Sequence, residues 1–519
     1  MATLTSYNPT TLQALGEVPV ATGEDVRTAV AAARDAQAAW GRVGVLERAR
    51  VMRRAAEITA ERADDLATLI TRESGKTLFE SYAAEVMSTA ETFRWLARYG
   101  PRYLRPERLR HASVLFRTKK SWLQFEPMGV VGIISPWNYP LAIPATEVGF
   151  ALMAGNAVVL KPSEFTPLIA HAIKEILVAA GADPAIVQIV HGEGDVGAAL
   201  VEAQPDRVLF TGSVRTGRRV AAAAGALGIA VTLELGGKDA TYVRPDADLD
   251  RAVGGTLWGA YFNAGQTCAS VERLYVHRDV ADAFIDKLTE RAKALRVGDP
   301  LDPGTDVGPM IHAQQRSVVA SQVEEAEHAG ARKLTGGAVD TGLRGAFYAP
   351  AVLVDVPDDS RLMRDETFGP ALPVRVVASD DEAVRLANDT EFGLTATVWT
   401  KDQVRARELA DQLQAGTVYV NDVLYAYASP DAPWGGVKSS GTGRTHSKHG
   451  LHELCHVKHV SVERDFVPQI GYPYTKAHSD LIRNAIKVVY GHGAAARALA
   501  ALKAAISFVR VGRSGKRRP

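Results

Sequence analysis

From about residue 129 onward, short apolar runs rich in β-branched residues alternate with amphipathic segments of helix length, and this alternation constrains the fold most. Apolar strands that must be covered on both faces, with helices between them, build βαβ units around a parallel sheet. The pattern predicts strands over Val130 to Ile134, Ala157 to Leu160, Ile186 to Val190, Arg207 to Phe210 and Ala230 to Leu235. Helices are expected between them over Leu168 to Ala180, Val196 to Glu202 and Val214 to Leu227. After Gly236 the alternation restarts. Strands near Leu274 to His277, Ala371 to Val377, Ala396 to Trp399 and Thr417 to Val420, with helices near Ala252 to Phe262, Val280 to Leu295 and Gln403 to Leu413, imply a second α/β domain. Helical character dominates Glu24 to Tyr99, which should pack on the first sheet. Val114 to Glu126 and Val457 to Val462 fit neither domain, and each reads as a strand that pairs with the other or with another subunit.

Met128 to Leu160 imitates a membrane span, because Glu147 is its only charge. Pro136, Pro140 and Pro144 interrupt it, and each removes a backbone donor that lipid cannot replace, so a buried strand, a loop and a core helix are expected. The 519 residues are 46% hydrophobic and 23% charged, which excludes long disorder and predicts about three domains. Sixty basic against 59 acidic residues make no electrostatic case for nucleic acid as a partner. Met1 to Pro9 lacks the basic and apolar blocks of a secretion signal, and the two cysteines, Cys268 and Cys455, suit a reducing compartment. A cytoplasmic protein is expected. Residues 466 to 519 carry ten basic residues and one acidic residue, Asp480, so this tail holds +9 and the rest of the +1 chain holds −8. Its Leu499, Leu502, Ile506 and Val509 share one helical face, so the tail is expected either to dock on the acidic body or to make peripheral contact with an anionic membrane.

Several constellations could carry chemistry. Gly192, Gly194 and Gly197 match G-x-G-x-x-G after a strand, but the strand ending Val208-Leu-Phe-Thr211 lacks the acidic residue that this fingerprint requires. A Gly-rich turn is the plainer account. Phe210-Thr-Gly-Ser213 ends a strand, and Ser213 caps the helix bearing Arg215, so free N–H groups and a positive helix end converge there, as an anionic phosphate needs, although taken alone the pattern reads simply as a capped helix. Lys161-Pro-Ser-Glu164 sets an ammonium and a carboxylate at another strand's carboxyl edge. Cys268 follows Asn263-Ala-Gly-Gln-Thr in what reads as a loop, where a thiol can reach a substrate, whereas Cys455 reads as core filling. Glu234 ends an apolar strand; unpaired, it would have a raised pKa suited to a general base, and paired, it would form a buried salt bridge to a group such as Lys238. No His/Cys spacing suggests a metal site. Trp258, Phe262, Tyr425, Tyr427 and Trp434 flank these motifs and either line an apolar tunnel or fill core.

Seven motifs in order across about 300 residues resemble those of the aldehyde dehydrogenase superfamily: Val131-Gly-Ile-Ile-Ser-Pro-Trp-Asn-Tyr-Pro140, Gly155-Asn-Ala-Val-Val-Leu-Lys-Pro-Ser-Glu164, Phe210-Thr-Gly-Ser213, Leu233-Glu-Leu-Gly-Gly-Lys238, Asn263-Ala-Gly-Gln-Thr-Cys268, Glu366-Thr-Phe-Gly-Pro370 and Pro433-Trp-Gly-Gly436. The resemblance implies an α/β fold with a Rossmann-like cofactor domain (1–113 and 127–235), a catalytic domain (236–445), a small β oligomerisation flap (114–126 and 446–465) and, beyond the family, the basic C-terminal tail 466–519. It implies a homodimer or homotetramer. It also implies Cys268 as nucleophile, forming a thiohemiacetal with the aldehyde and then, after hydride transfer to nicotinamide, a thioester. Asn138 and the Cys268 N–H would hold the oxyanion, and Glu234 would activate the hydrolytic water. Cofactor contacts carried over in the same way are Trp137, Lys161, Ser163, Glu164, Gly194, Phe210, Thr211, Gly212, Ser213, Gly236, Glu366 and Phe368. NAD is the cofactor expected from Glu164, with NADP as the alternative.

Trp434 stands where the family usually has Phe, and Lys448 and His456 replace common acidic residues, which touches substrate access, proton relay and subunit contact. The run Cys268-Ala-Ser-Val-Glu-Arg273 is similar to branches that include some succinate-semialdehyde dehydrogenases, a likeness too short to fix a substrate. A CoA-acylating relative would generally lack the glutamate at 234. A non-catalytic protein on the same fold would be free to lose Asn138, Glu234 or Cys268, and all three are present.

Overall fold

The computed structural model describes residues 2–113, 116, 118–463, 472 and 474–515, and side chains up to 512. Two compact units emerge: one holds Met1–Arg105 and Phe125–His456, the other Pro106–Gln124 and Val457–Pro519.

The first unit contains both large sheets. Its six-stranded sheet runs in the order Gly441–Thr442, Ala230–Glu234, Arg207–Thr211, Val130–Ile134, Ala157–Lys161, Val187–Ile189. The five longer strands are parallel, and Gly441–Thr442 lies antiparallel against Leu233 and Glu234. Strands Val130–Ile134 and Ala157–Lys161 are buried at every position, which is why they read as unbroken apolar runs. Each side chain such as Ile133 or Leu160, fully removed from water, contributes about 1.5–3 kcal/mol. The stretch that imitated a membrane span is a buried strand, a Pro-bearing loop and the core helix Ala142–Ala154. Among the described residues no helix is long and apolar enough to cross a membrane.

Helices Gly23–Trp40, Val45–Glu61, Ala63–Ser74 and Met87–Tyr103 cover this sheet and share its core, with Val26, Met52, Ile70 and Leu96 in one apolar cluster with Ile133 and Val159. Thr22 starts the first of them: its hydroxyl accepts from the Asp25 N–H while the Asp25 carboxylate accepts from the Thr22 N–H, a reciprocal cap that satisfies two helix-end donors. An antiparallel pair, Thr3–Tyr7 with Ala14–Pro19, precedes them.

The second sheet has seven strands in the order Arg332–Ala338, Tyr348–Val354, Ala371–Val377, Val271–His277, Asp239–Val243, Thr395–Trp399, Thr417–Val420. All neighbours are parallel except the first pair.

In the second unit, Glu107–Leu109 pairs antiparallel with Lys120–Pro127, and Cys455–Val462 adds a third strand beside it. The two orphan strand patterns therefore pair with each other, although Val114, Leu115 and Arg117 lie outside the described residues. The tail forms helices Lys476–Tyr490 and Ala494–Gly515, packed on one another. Leu499, Leu502, Ile506 and Val509 do share a face and are exposed. The terminal basic residues Lys516, Arg517 and Arg518 lie outside the described residues.

Candidate active site

Strand order in the six-stranded sheet reverses at Val130–Ile134, whose two neighbours lie 157–161 on one side and 207–211 on the other. Open parallel sheets bind ligands outside their carboxyl ends at such a switch point. Here those ends deliver Trp137, Asn138, Thr211, Gly212, Ser213 and Glu234 to one cavity of about 640 Å³. Gly236, Cys268, Glu366 and Phe368 complete its wall. A second cavity of about 300 Å³ also ends at Cys268, and Trp258, Phe262, Tyr425, Tyr427 and Trp434 all line it. The thiol thus stands on a wall common to a larger, more polar cleft and an aromatic one.

Cys268 lies on a tightly wound loop just before the strand Val271–His277. Asn263 and Ala264 take φ of 54° and 52°, and Gly265 follows at 71°. Non-glycine residues held in this left-handed region cost about 1–3 kcal/mol each and persist only where neighbours enforce them. Glu80 accepts from the Asn263 N–H at 2.6 Å, and the Asn263 amide donates to the Asn138 and Gln266 carbonyls at 3.1 Å each. Glycine at 236 and 237 lets the chain pass from one sheet to the other here. A Cβ at 236 would fall 2.4 Å from the Glu366 carboxylate, and one at 237 would fall 2.3 Å from the Cys268 carbonyl.

Asn138 is buried, and its amide donates to the Gln266 carbonyl at 3.1 Å, leaving a second N–H for another acceptor. Its backbone carbonyl is gripped by Lys76, whose ammonium sits 2.6 Å away and also 2.5 Å from Glu85. Glu85 in turn accepts from the Leu141 and Ala142 N–H groups at 3.0 and 2.7 Å. Nothing in the sequence singled out Lys76, Glu80 or Glu85; they lie in a distant segment, Lys76 in the link after the helix Ala63–Ser74 and the two glutamates in the helical turns that follow, and only folding brings them to the loop.

Both oxygens of Glu234 are buried without a hydrogen-bond partner among the described residues. Burial, and then the nearby Glu147, push its pKa well above the usual carboxylate range, against the pull of Arg444. The salt bridge that would have made Glu234 structural does not form, because Lys238 goes to Glu272 and Thr367, at 2.8 Å each. Burial, then Asp239, Glu366 and Glu234, push the Cys268 thiol up. Cys455 is core filling: it is buried and its S–H donates to the Leu451 carbonyl at 3.3 Å.

On the far wall, Ser213 caps the helix Val214–Ala226, accepting from the Thr216 N–H at 3.3 Å, and Arg215 also faces the cleft. Trp137 and Phe368 meet edge to face, with centroids 5.3 Å apart. Phe368, at φ 49°, is fixed by Glu272, which accepts from the Thr367 and Phe368 N–H groups at 2.8 and 2.9 Å. Glu366 accepts from the Gly237 N–H at 3.0 Å, and burial pushes it up to about 8. Lys161 and Glu164 pair at 3.1 Å at the end of their strand. These two, with Ser163, Gly194 and Phe210, are not among the residues lining the 640 Å³ cavity. Gly194 begins the helix Gly194–Glu202.

An open parallel sheet with its main cleft at the switch point is the scaffold of an α/β enzyme. The Aldehyde dehydrogenase family model matches residues 2–460, and the chain belongs to the aldehyde dehydrogenase family, whose members oxidise aldehydes. It is 39% identical over 460 residues to a betaine aldehyde dehydrogenase of Cereibacter sphaeroides, covering 88% of this chain and 92% of the relative. It is 37% identical over 480 residues to a Mycobacterium ulcerans relative named for succinate-semialdehyde dehydrogenase activity with NADP(+), covering 91% and 92%. The NAD+ complex structure of an aldehyde dehydrogenase from Bacillus cereus superposes with a TM-score of 0.85 at 33% identity, covering 89% of this chain and 93% of that one.

Proposed function

We propose that this enzyme oxidises an uncharged, apolar aldehyde with NAD, through a covalent intermediate on Cys268 that Glu234 helps to hydrolyse. The observation that carries this reading is the place of Cys268 between the two cavities, with an unpartnered buried carboxyl at Glu234 lining the larger of them. The larger cleft fits a dinucleotide: a capped helix N-terminus and Arg215 suit a diphosphate, the Trp137–Phe368 corner suits a flat ring, and Glu366 suits ribose hydroxyls. Bound there, the cofactor would accept the hydride and bring a positive ring toward the thiol. Cys268 gives its proton to water and its sulfur attacks the aldehyde carbon, forming the thiohemiacetal from which the hydride leaves; Asn138 and the Cys268 N–H stabilise the oxyanion, at about 100- to 1000-fold per donor. The resulting thioester is attacked by water whose proton goes to Glu234, and the C–S bond breaks with its electron pair returning to sulfur. On this reading 1–113 with 127–235 form the cofactor half and 236–445 the catalytic half. The flap, 114–126 and 446–465, supports homodimers or homotetramers through its edge strand Cys455–Val462, whose residues are mostly exposed.

The aromatic cavity supports the substrate class. Among its lining residues Asp422 is the only carboxylate, and no lysine, arginine or histidine is present. A carboxylate-bearing aldehyde would bury an unpaired charge at a cost of several kcal/mol, whereas a cation could still use the aromatic faces. Kinetics with hexanal or benzaldehyde, betaine aldehyde and succinate semialdehyde are expected to rank in that order. Succinate semialdehyde should trail the leader by about 100-fold or more in kcat/KM, the equivalent of about 2.7 kcal/mol. Equal or better use of succinate semialdehyde would defeat the substrate assignment.

Glu164 supports NAD. A carboxylate accepts hydrogen bonds from ribose hydroxyls and repels a 2′-phosphate, while Lys161 beside it softens the repulsion. The kcat/KM with NAD should exceed that with NADP by about tenfold, which a repulsion of about 1.4 kcal/mol provides. Parity between the two cofactors would remove Glu164 from that role.

A further inference from the structure

Lys76 and Glu85 form an ion pair whose side chains are both 0% exposed, and neither residue lines the 640 Å³ cleft or the aromatic cavity. The hydration lost by a pair so fully out of water can exceed its Coulombic attraction, and apolar side chains of the same volume would support the fold as well or better. Its place in the core therefore needs another reason. The ammonium has three N–H groups to place. Glu85 takes one at 2.5 Å, the Asn138 carbonyl takes another at 2.6 Å, and the centre of the Tyr139 ring lies 4.1 Å from the nitrogen. The second Glu85 oxygen accepts from the Leu141 and Ala142 N–H groups, which open the core helix Ala142–Ala154 where Leu141 supplies no side-chain cap. The pair thus holds the stretch 138–142 by a carbonyl at one end and by N–H groups at the other. The Asn138 carbonyl also accepts from the Asn263 amide, and the Asn263 N–H is held by Glu80 at 2.6 Å. One short segment, 76–85, therefore grips both the Asn138 loop and the Cys268 loop. Its turns Ser81–Val86 wind as a π-helix, a rare form found often at functional sites.

We infer that Lys76, backed by Glu85, is a positioning residue for the oxyanion: it locks the Asn138 peptide so that the free side-chain N–H of Asn138 meets the aldehyde oxygen as charge develops on it. The inference rests on the proposed attack by Cys268 and the oxyanion role of Asn138. An oxyanion donor is effective when it already stands about 2.7–3.1 Å from where the charged oxygen will be, and a misplacement of about 1 Å can cost about 100-fold in rate. The Asn138 side chain has two anchors. One is the Gln266 carbonyl, to which its amide donates at 3.1 Å, and the other is its own backbone, which Lys76 grips. Without Lys76 the Asn138 carbonyl keeps only the neutral Asn263 amide at 3.1 Å, a weaker partner than an ammonium, and the peptide gains freedom to turn. Lys76 lines neither cavity, so its effect on the reaction passes through Asn138. It makes and breaks no substrate bond and moves no proton.

A double-mutant cycle against Asn138 tests this. Lys76→Met combined with Glu85→Gln removes both charges at similar volume and leaves no buried ion unpaired, so the fold should hold. Lys76→Gln is the second variant: one atom shorter than lysine, it can donate to Glu85 but cannot also span to the Asn138 carbonyl. Full-length enzyme saturated with NAD is mixed with a limiting amount of hexanal, and NADH from that single turnover is followed by stopped-flow absorbance. Both variants should slow it by about 10- to 100-fold, with NAD affinity, read by fluorescence quenching, unchanged. Asn138→Ala should slow it by about 100- to 1000-fold. Adding either Lys76 variant to Asn138→Ala should then cost less than about threefold more, because the group that Lys76 places is already gone. A pair that served the fold alone would slow both backgrounds by the same factor. Equal factors, an unslowed single turnover, a matching loss of NAD affinity, or failure of both Lys76 variants to fold would overturn the positioning role and leave the reading of Cys268 standing. A wild-type single turnover in Asn138→Ala would overturn the oxyanion reading itself and the positioning role with it.

Discussion

Replacing Cys268 with serine is expected to abolish aldehyde oxidation while leaving NAD binding intact. In the proposed reaction Glu234 serves the hydrolytic water after hydride transfer, so no base is assigned to a hydroxyl at 268. A thiol, even one raised as far as Cys268 is, ionises more readily than a serine hydroxyl in the same place. The loss should reach at least about 1000-fold in kcat, the scale on which enzymes lose rate when a covalent nucleophile is removed. Dinucleotide affinity, followed by fluorescence quenching, should change little, since none of the phosphate- or ribose-facing groups is altered. Retention of more than about a tenth of the wild-type rate would remove Cys268 as nucleophile.

Glu234→Gln should separate the two halves of the reaction. Hydride transfer precedes any need for a base toward water, so one equivalent of NADH per site should form at close to the wild-type rate. Steady-state turnover should then fall by about 100- to 10,000-fold, the usual contribution of a positioned general base. The substitution is nearly isosteric and removes a buried ionisable group, so stability should hold or rise. Stopped-flow absorbance of NADH checks both phases. Unimpaired steady turnover would show that another group activates the water.

Where local pattern and burial agree, the sequence was a close guide to the fold. The strands Val130–Ile134, Ala371–Val377 and Thr417–Val420 end at the expected residues, because their apolar β-branched runs have no alternative use. Other strands escaped, Asp239–Val243 and Tyr348–Val354 among them. Asp239–Val243 opens on a charge directly after two glycines, and only the fold reveals that Thr395 satisfies that carboxylate with two bonds, at 3.0 and 2.7 Å. Tyr348–Val354 contains Pro350, which argues against a strand; the irregular register opposite Thr335 to Gly337 accommodates it. Gly336, at φ 90°, is required there, since a Cβ would fall 2.4 Å from the Pro350 carbonyl.

The same limit applies to the site. Motifs placed at strand ends led to Asn138, Ser213, Glu234 and Cys268, because strand ends are where such sheets hold ligands. Lys76 and Glu85 were invisible, since their target, the Asn138 loop, lies far along the chain and no periodicity connects them. Glu147 was conspicuous as a lone charge, yet its two environments, Thr211 on one side and a narrow cavity shared with Arg444 on the other, come from segments more than 60 positions away.

The most direct test of the covalent account is mass spectrometry of Glu234→Gln after brief exposure to NAD and an aldehyde such as hexanal. The account predicts one acyl group per chain, in thioester linkage on the peptide that contains Cys268, appearing in step with NADH and absent without NAD. NADH formation with no adduct, or an adduct on any other residue, would contradict it.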